Sequence, residues 1–214
     1  CRAVRVYGST EVPLVTVGFV ANDETHLAAE TDGRVFNYEV KICDDDGKDV
    51  GRNADGEIWV RGPAMMQGYQ DAEQNAAAFS EEGFFKTGDI GQLLDSEAII
   101  ITDRKKDIII RGGENLSARE IEEIVLLHPA VAEAAAVSAP HERLGEGVAV
   151  FVTIYGDEAP TLANLTELCA EKQLAKQKWP QWLSVVAEMP KTPSGKIQKA
   201  ALRAKLKEQG VQLS

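Results

Sequence analysis

Cysteine, histidine and methionine are scarce, three of each in 214 residues. Cys1, Cys43 and Cys169 are odd in number, lie far apart and form no C-x-x-C, which argues against both a disulfide framework and a cysteine-based zinc site. Unpaired thiols suit a reducing compartment, so a cytoplasmic location is expected. His26, His128 and His141 are scattered and read as structural. No apolar run approaches the roughly 20 residues of a membrane span, so no integral membrane association is expected. Basic residues are few as well: 23 Lys and Arg against 34 Asp and Glu give a net charge of -11, which argues against a nucleic-acid binder. What is present is a globular composition, 44% hydrophobic and 27% charged, in a length that suits one large domain or two ordinary ones. The chain does not open on Met, and CRAVRV already carries a half-buried strand's two-residue period through Val4 and Val6. A fragment of a longer protein is therefore expected.

From residue 34 to about 103 the pattern is strands and turns: RVFNYEVKIC, the acidic turn DDDGKD, GEIWVRG, a short helix in DAEQNAAAF, then GFFKTGD and GQLLDSEAIIIT. The acidic turn is not an EF-hand loop, because an alternate ligand position falls on Ile42 and Asp55 replaces the closing glutamate. A solvated hairpin turn is expected there. DRKKD, at 103 to 107, separates two apolar triplets and suits a hinge. Beyond it helices and strands alternate. Ser117 and Glu120 form an S-x-x-E capping box that opens a helix with Ile121, Ile124 and Val125 on one face, halted by Pro129. VAEAAAVSA, GVAVFVTIY and SVVAE read as strands, residues 161–174 and 200–208 as helices, and Gly112-Gly113 as a turn between strand and helix. The expected fold class is α+β, in two parts: a strand-rich, distorted β-barrel-like region over 1–103 and a small α/β domain over 104–214.

YGSTE, residues 7 to 11, combines a ring, a glycine, hydroxyls and a carboxylate, groups suited to a nucleotide and its Mg²⁺. It is not a nucleophile elbow, which needs a glycine two residues either side of the serine. Four stretches follow it in order: GEIWVRGPAMMQGY at 56–69, FKTGD at 85–89, DRKKDIIIRGGEN at 103–115 and PKTPSGK at 190–196. PSGK is no Walker loop, since Pro190 and Ile197 stand where Gly and Ser or Thr are required.

Together these motifs resemble the AMP-forming acyl-adenylate superfamily, which includes acyl-CoA synthetases, luciferases and peptide-synthetase adenylation domains. KWPQW before VVAEMPKTPSGKIQK looks most similar to acid-CoA ligases acting on aromatic, alicyclic or medium-chain acids. The family's phosphate loop, of the type TSGTTGxPK, has no match in the sequence. The resemblance thus implies the end of the large ATP- and acyl-binding domain followed by the mobile C-terminal domain, and a chain inactive alone. It implies ATP and AMP, Mg²⁺ and coenzyme A as cofactors, and a small carboxylic acid as substrate.

Residue by residue, the resemblance implies that Tyr7 stacks on adenine beside Gly8, Thr10 contacts the α-phosphate, and Glu11 helps hold Mg²⁺. Asp89 accepts the ribose hydroxyls, Arg104 is a second ribose contact, and Lys106 is the hinge. Lys196 bridges the attacking carboxylate and the α-phosphate, and Gly113 leaves room for pantetheine, although GGEN departs from many relatives. The alternatives are an adenylation domain that loads a carrier protein, disfavoured because no carrier follows Ser214, and a non-catalytic module that binds nucleotide or a partner.

Overall fold

The computed structural model describes residues 3–214. It divides into two compact units, one ending at Lys105 and the other running from Lys106 to Ser214.

In the first unit, β1 (Thr16–Val17) pairs antiparallel with β2 (Arg34–Val35), and helix α1 (Thr25–Glu30) lies between them in sequence. An antiparallel sheet follows, built from β3 (Glu39–Cys43), β4 (Gly56–Arg61), β5 (Phe85–Leu93) and β6 (Ile99–Arg104), in that spatial order. Helix α2 (Ala72–Ala78) sits on the β4 to β5 connection and is capped by Asp71, whose side chain accepts from the Gln74 N–H at 2.8 Å. The region is strand-rich as expected, and among the described residues its sheet is open rather than closed into a barrel. Ile42, Ile58, Val60, Phe85 and Ile99 pack with Tyr7, Val12 and Val15 in one apolar cluster. Sequential antiparallel neighbours need only short connections, and the acidic segment supplies one. Asp44 Oδ1 accepts from the N–H groups of Asp46 and Lys48, at 3.0 and 2.9 Å, while Gly47 turns the chain at φ +79°.

The strand expected at CRAVRV is a correction. Cys1 and Arg2 lie outside the described residues, and residues 3–9 form no strand. Val4 and Val6 are 38% and 54% exposed. The alternation is real, but a strand exists only where a second strand completes its ladder.

The second unit begins with β7 (Ile109–Arg111) and β8 (Glu114–Leu116), joined directly by Gly112-Gly113. This too corrects the sequence reading, which placed a helix after the glycines. Their φ values, +62° and +89°, are those of a two-residue hairpin turn whose central positions both lie in left-handed space. Helix α3 (Ala118–Val125) starts one residue after Ser117, whose Oγ accepts from the Glu120 N–H at 3.2 Å. The Glu120 carboxylate is taken by Lys178. The full reciprocal capping box lies instead at Thr161 and Asn164, opening α4 (Leu162–Glu171).

Strands β9 (Val131–His141) and β10 (Gly145–Ile154) form a long antiparallel ribbon, and β11 (Trp182–Val185) joins β10 in parallel. Helix α5 (Lys199–Glu208) completes the unit. Alternation along β10 sorts its side chains between two cores. Val148, Val150 and Val152 pack with Ile121 and Val125 of α3 and Leu165 and Cys169 of α4. Ala149 and Phe151 pack with Met189 and with Leu202 and Leu206 of α5. Residues 147–153 are consequently all buried, as in a strand covered on both faces.

Candidate nucleotide site

The first unit brings three of the expected residues together around one carboxylate. Asp89 is 6% exposed, and each of its oxygens has a partner. The Tyr7 hydroxyl donates to Oδ2 at 2.8 Å and Arg104 Nε donates to Oδ1 at 2.8 Å. Register explains the second contact, because Asp89 and Arg104 are direct partners on β5 and β6. A bulge explains the orientation. Glu57 pairs with Ile90 and Trp59 with Lys86, so a single residue of β4, Ile58, stands against Thr87, Gly88 and Asp89 of β5. Gly88 takes φ +70° within it, and the Thr87 hydroxyl donates to the Ile58 carbonyl at 2.7 Å. The Asp89 N–H in turn donates to Thr87 Oγ1 at 3.1 Å.

Tyr7 is 7% exposed and belongs to the apolar cluster, so most of its ring is covered by protein. Burial pushes its phenol well above the ordinary tyrosine value, and the Asp89 charge pushes it further. Gly8 has a packing reason of its own: a Cβ there would stand 2.5 Å from the Leu14 nitrogen. Thr10 is exposed. Glu11 accepts from Ser9 Oγ at 2.8 Å and from the Tyr69 hydroxyl at 3.2 Å. The Ser9 bond, followed by a backbone N–H, holds the Glu11 carboxyl below the usual carboxylate range. It stays ionised, and a single part-exposed carboxylate fits Mg²⁺, which keeps several waters and takes its other ligands from phosphates. Among the described residues, no group of three or more His, Cys, Asp or Glu forms a protein-only metal cage.

Lys106, Gly113 and Lys196 belong to the second unit. Lys106 is exposed, in a single 3-10 turn over Lys105–Asp107. Gly113 is exposed, and a Cβ built on it meets nothing within 4 Å. Lys196 stands exposed on a tight loop. There the Thr192 N–H donates to the Lys196 carbonyl at 2.8 Å, the Lys196 N–H donates to Thr192 Oγ1 at 3.1 Å, and Gly195 turns at φ +84°. The two described cysteines, Cys43 and Cys169, are buried and free. Burial, then the nearby Asp49 charge, pushes the Cys43 thiol up to about 11, which leaves it unreactive.

The sequence reading did not single out Glu57, Thr87, Ser9 or Tyr69 as site residues. The available signal was Glu57, an acid at the head of an otherwise apolar strand in GEIWV.

Residues 1–70 match the family described as AMP-binding enzyme, and residues 120–196 the family described as AMP-binding enzyme C-terminal domain. The chain is 39% identical over 209 residues to a medium-chain fatty-acid–CoA ligase of Escherichia coli, covering 94% of this chain and 36% of the relative. It is 40% identical over 211 residues to a 2,3-dihydroxybenzoate-AMP ligase of Bacillus subtilis, covering 97% of this chain and 39% of the relative. Among solved structures it is similar to o-succinylbenzoate CoA synthetase of Bacillus subtilis in complex with its acyl-adenylate intermediate. That match has a TM-score of 0.81 and 32% identity, and covers 95% of this chain and 40% of the other. The chain belongs to the family of AMP-binding, adenylate-forming enzymes, and it spans well under half the length of these relatives.

Proposed function

We propose that this chain works within a longer ATP-dependent, AMP-forming acid-CoA ligase. Carboxylate and ATP give acyl-adenylate and pyrophosphate, and the CoA thiol then displaces AMP to leave a thioester. The observation that carries the reading is the buried Asp89 carboxylate, gripped by Tyr7 and Arg104 from three separated stretches of sequence. A carboxylate fixed in this way has its remaining lone pairs preset to accept the two ribose hydroxyls, with Arg104 beside them. Tyr7 and Gly8 belong to the adenine side of the site, and Thr10 donates to the α-phosphate. Glu11 would hold Mg²⁺, which when bound neutralises charge on the phosphate oxygens.

Lys196 brings its ammonium to the attacking carboxylate and the α-phosphate during adenylation. A flexible cation on an exposed, glycine-containing loop is suited to entering a site for one half-reaction and leaving for the next. Lys106 is the pivot of that change, and Gly113 lies on the pantetheine path. The residues span both units, 1–103 belonging to the large domain and 104–214 to the mobile one. Alone, the chain forms neither product, because the sequence holds no phosphate loop.

Transfer to a carrier protein's thiol is the second reading, favoured by the 40% identity to an aryl-AMP ligase. The test is acid-dependent ATP-pyrophosphate exchange by the full-length ligase over a panel of acids, followed by offering CoA or carrier protein as acceptor. Asp89→Ala should raise KM for ATP about 10- to 100-fold, the worth of a lost charge-assisted hydrogen bond. An unchanged KM in a folded variant rejects the ribose assignment, and absence of exchange with every acid rejects the ligase.

A further inference from the structure

Glu57 is 7% exposed at the head of β4, where an unpaired carboxylate would be costly. Both of its oxygens are used. Oε1 accepts the Gly88 N–H at 3.2 Å, and Oε2 takes Lys105 Nζ at 3.2 Å. The first contact meets a need created by the bulge. With Ile58 opposed to three residues of β5, regular ladder pairing is interrupted there, and Gly88 at φ +70° turns its N–H out of register. The Glu57 carboxylate receives it. The second contact reaches the last residue of the first unit, directly before Lys106. Partial burial alone would lower the Lys105 ammonium's pKa, but Glu57 and then Asp45 more than offset this, so it stands above the ordinary lysine value.

We propose that Glu57 is a positioning residue that ties two features to one carboxylate: the turn that aims Asp89 and the backbone leaving the first unit at Lys105. It touches no substrate. Its anchorage of Lys105 confines rotation of the connector to the residues that follow, so the ribose contact and the pivot are set by the same group. The inference rests on the ligase reading for its catalytic consequence, but not for its geometry.

The geometry is tested on the 214-residue chain by amide exchange at Gly88. Glu57→Ala should speed exchange of that amide at least about tenfold, whereas Glu57→Gln, which keeps a carbonyl acceptor, should stay within about threefold of the parent. Equal exchange in the parent and the Ala variant overturns the proposal, and if the Ala variant does not fold, faster exchange in the Gln variant does so. In the full-length ligase, Glu57→Ala should raise KM for ATP at least about fivefold with a smaller change in the adenylation kcat. Glu57→Gln should leave that KM within about twofold. Both Glu57→Gln and Lys105→Met should slow transfer from supplied acyl-adenylate about five- to tenfold, and the double variant no more than either alone. Effects that multiply in the double variant overturn the coupling. If the unsubstituted ligase exchanges pyrophosphate with no acid, the ligase reading falls, and the Gly88 amide still decides the geometry.

Discussion

Tyr7 gives its hydroxyl to a carboxylate inside the protein, so its removal acts on both groups. Tyr7→Phe leaves Asp89 buried with one donor fewer, and should cost about 1 to 3 kcal/mol in urea denaturation of the first unit. The pH dependence has a definite sign. The folded phenol titrates above its unfolded value of about 10, so its contribution is fully present below that pH and is lost as pH rises beyond it. Stability should therefore fall more steeply with alkaline pH in the parent than in Tyr7→Phe. Sequence made Tyr7 legible as part of a nucleotide motif, because YGSTE, TGD and DRKKD recur as chemistry rather than as packing. It left illegible the covering of the ring and the role of Glu57, since both depend on which residues of distant strands stand opposite each other. A two-residue register slip at Thr87 and Gly88 decides that, and nothing local in FKTGD announces it.

Among the elements, β10 was plain from its unbroken apolar run, and α4 from a threonine followed three residues later by a side chain able to return the hydrogen bond. CRAVRV misled because periodicity reports which side chains alternate, not whether a neighbouring strand exists. The Gly112-Gly113 hairpin was read as a turn but assigned the wrong sequel, because three-residue strands such as β8 are too short to show a period. That turn makes a clean prediction. A Cβ on Gly113 meets nothing, so Gly113→Ala should carry only the backbone penalty of left-handed space, about 1 to 2 kcal/mol, read from denaturation of the second unit. If Gly113 also lines the pantetheine path, the same variant in the full-length ligase should raise KM for CoA while leaving KM for ATP unchanged.

For the whole molecule, two separately packed cores predict two separately perturbable transitions. Leu165→Ala should remove about 2 to 5 kcal/mol from the second unit in calorimetry, with the first unit's transition unmoved. Ile58→Ala should do the converse. The connector has its own test. Lys106→Pro restricts φ at the proposed pivot, so in the full-length ligase it should spare acyl-adenylate formation and block transfer to CoA. Wild-type transfer by a variant with unchanged melting would reduce DRKKD to a charged turn.

Strand β10 owes its burial to partners made at different times. On a growing chain, β9 and β10 emerge together, joined through residues 142–144, so their ribbon can close at once. The parallel partner β11 and the helix α5 that covers Phe151 are synthesised only after α4. Until then β10 is an open edge, apolar on both sides and without a charged side chain from Gly147 to Ile154. The nascent protein's most adhesive surface is thus the middle of its finished second core, and a ribosome stalled before residue 182 would leave it uncovered.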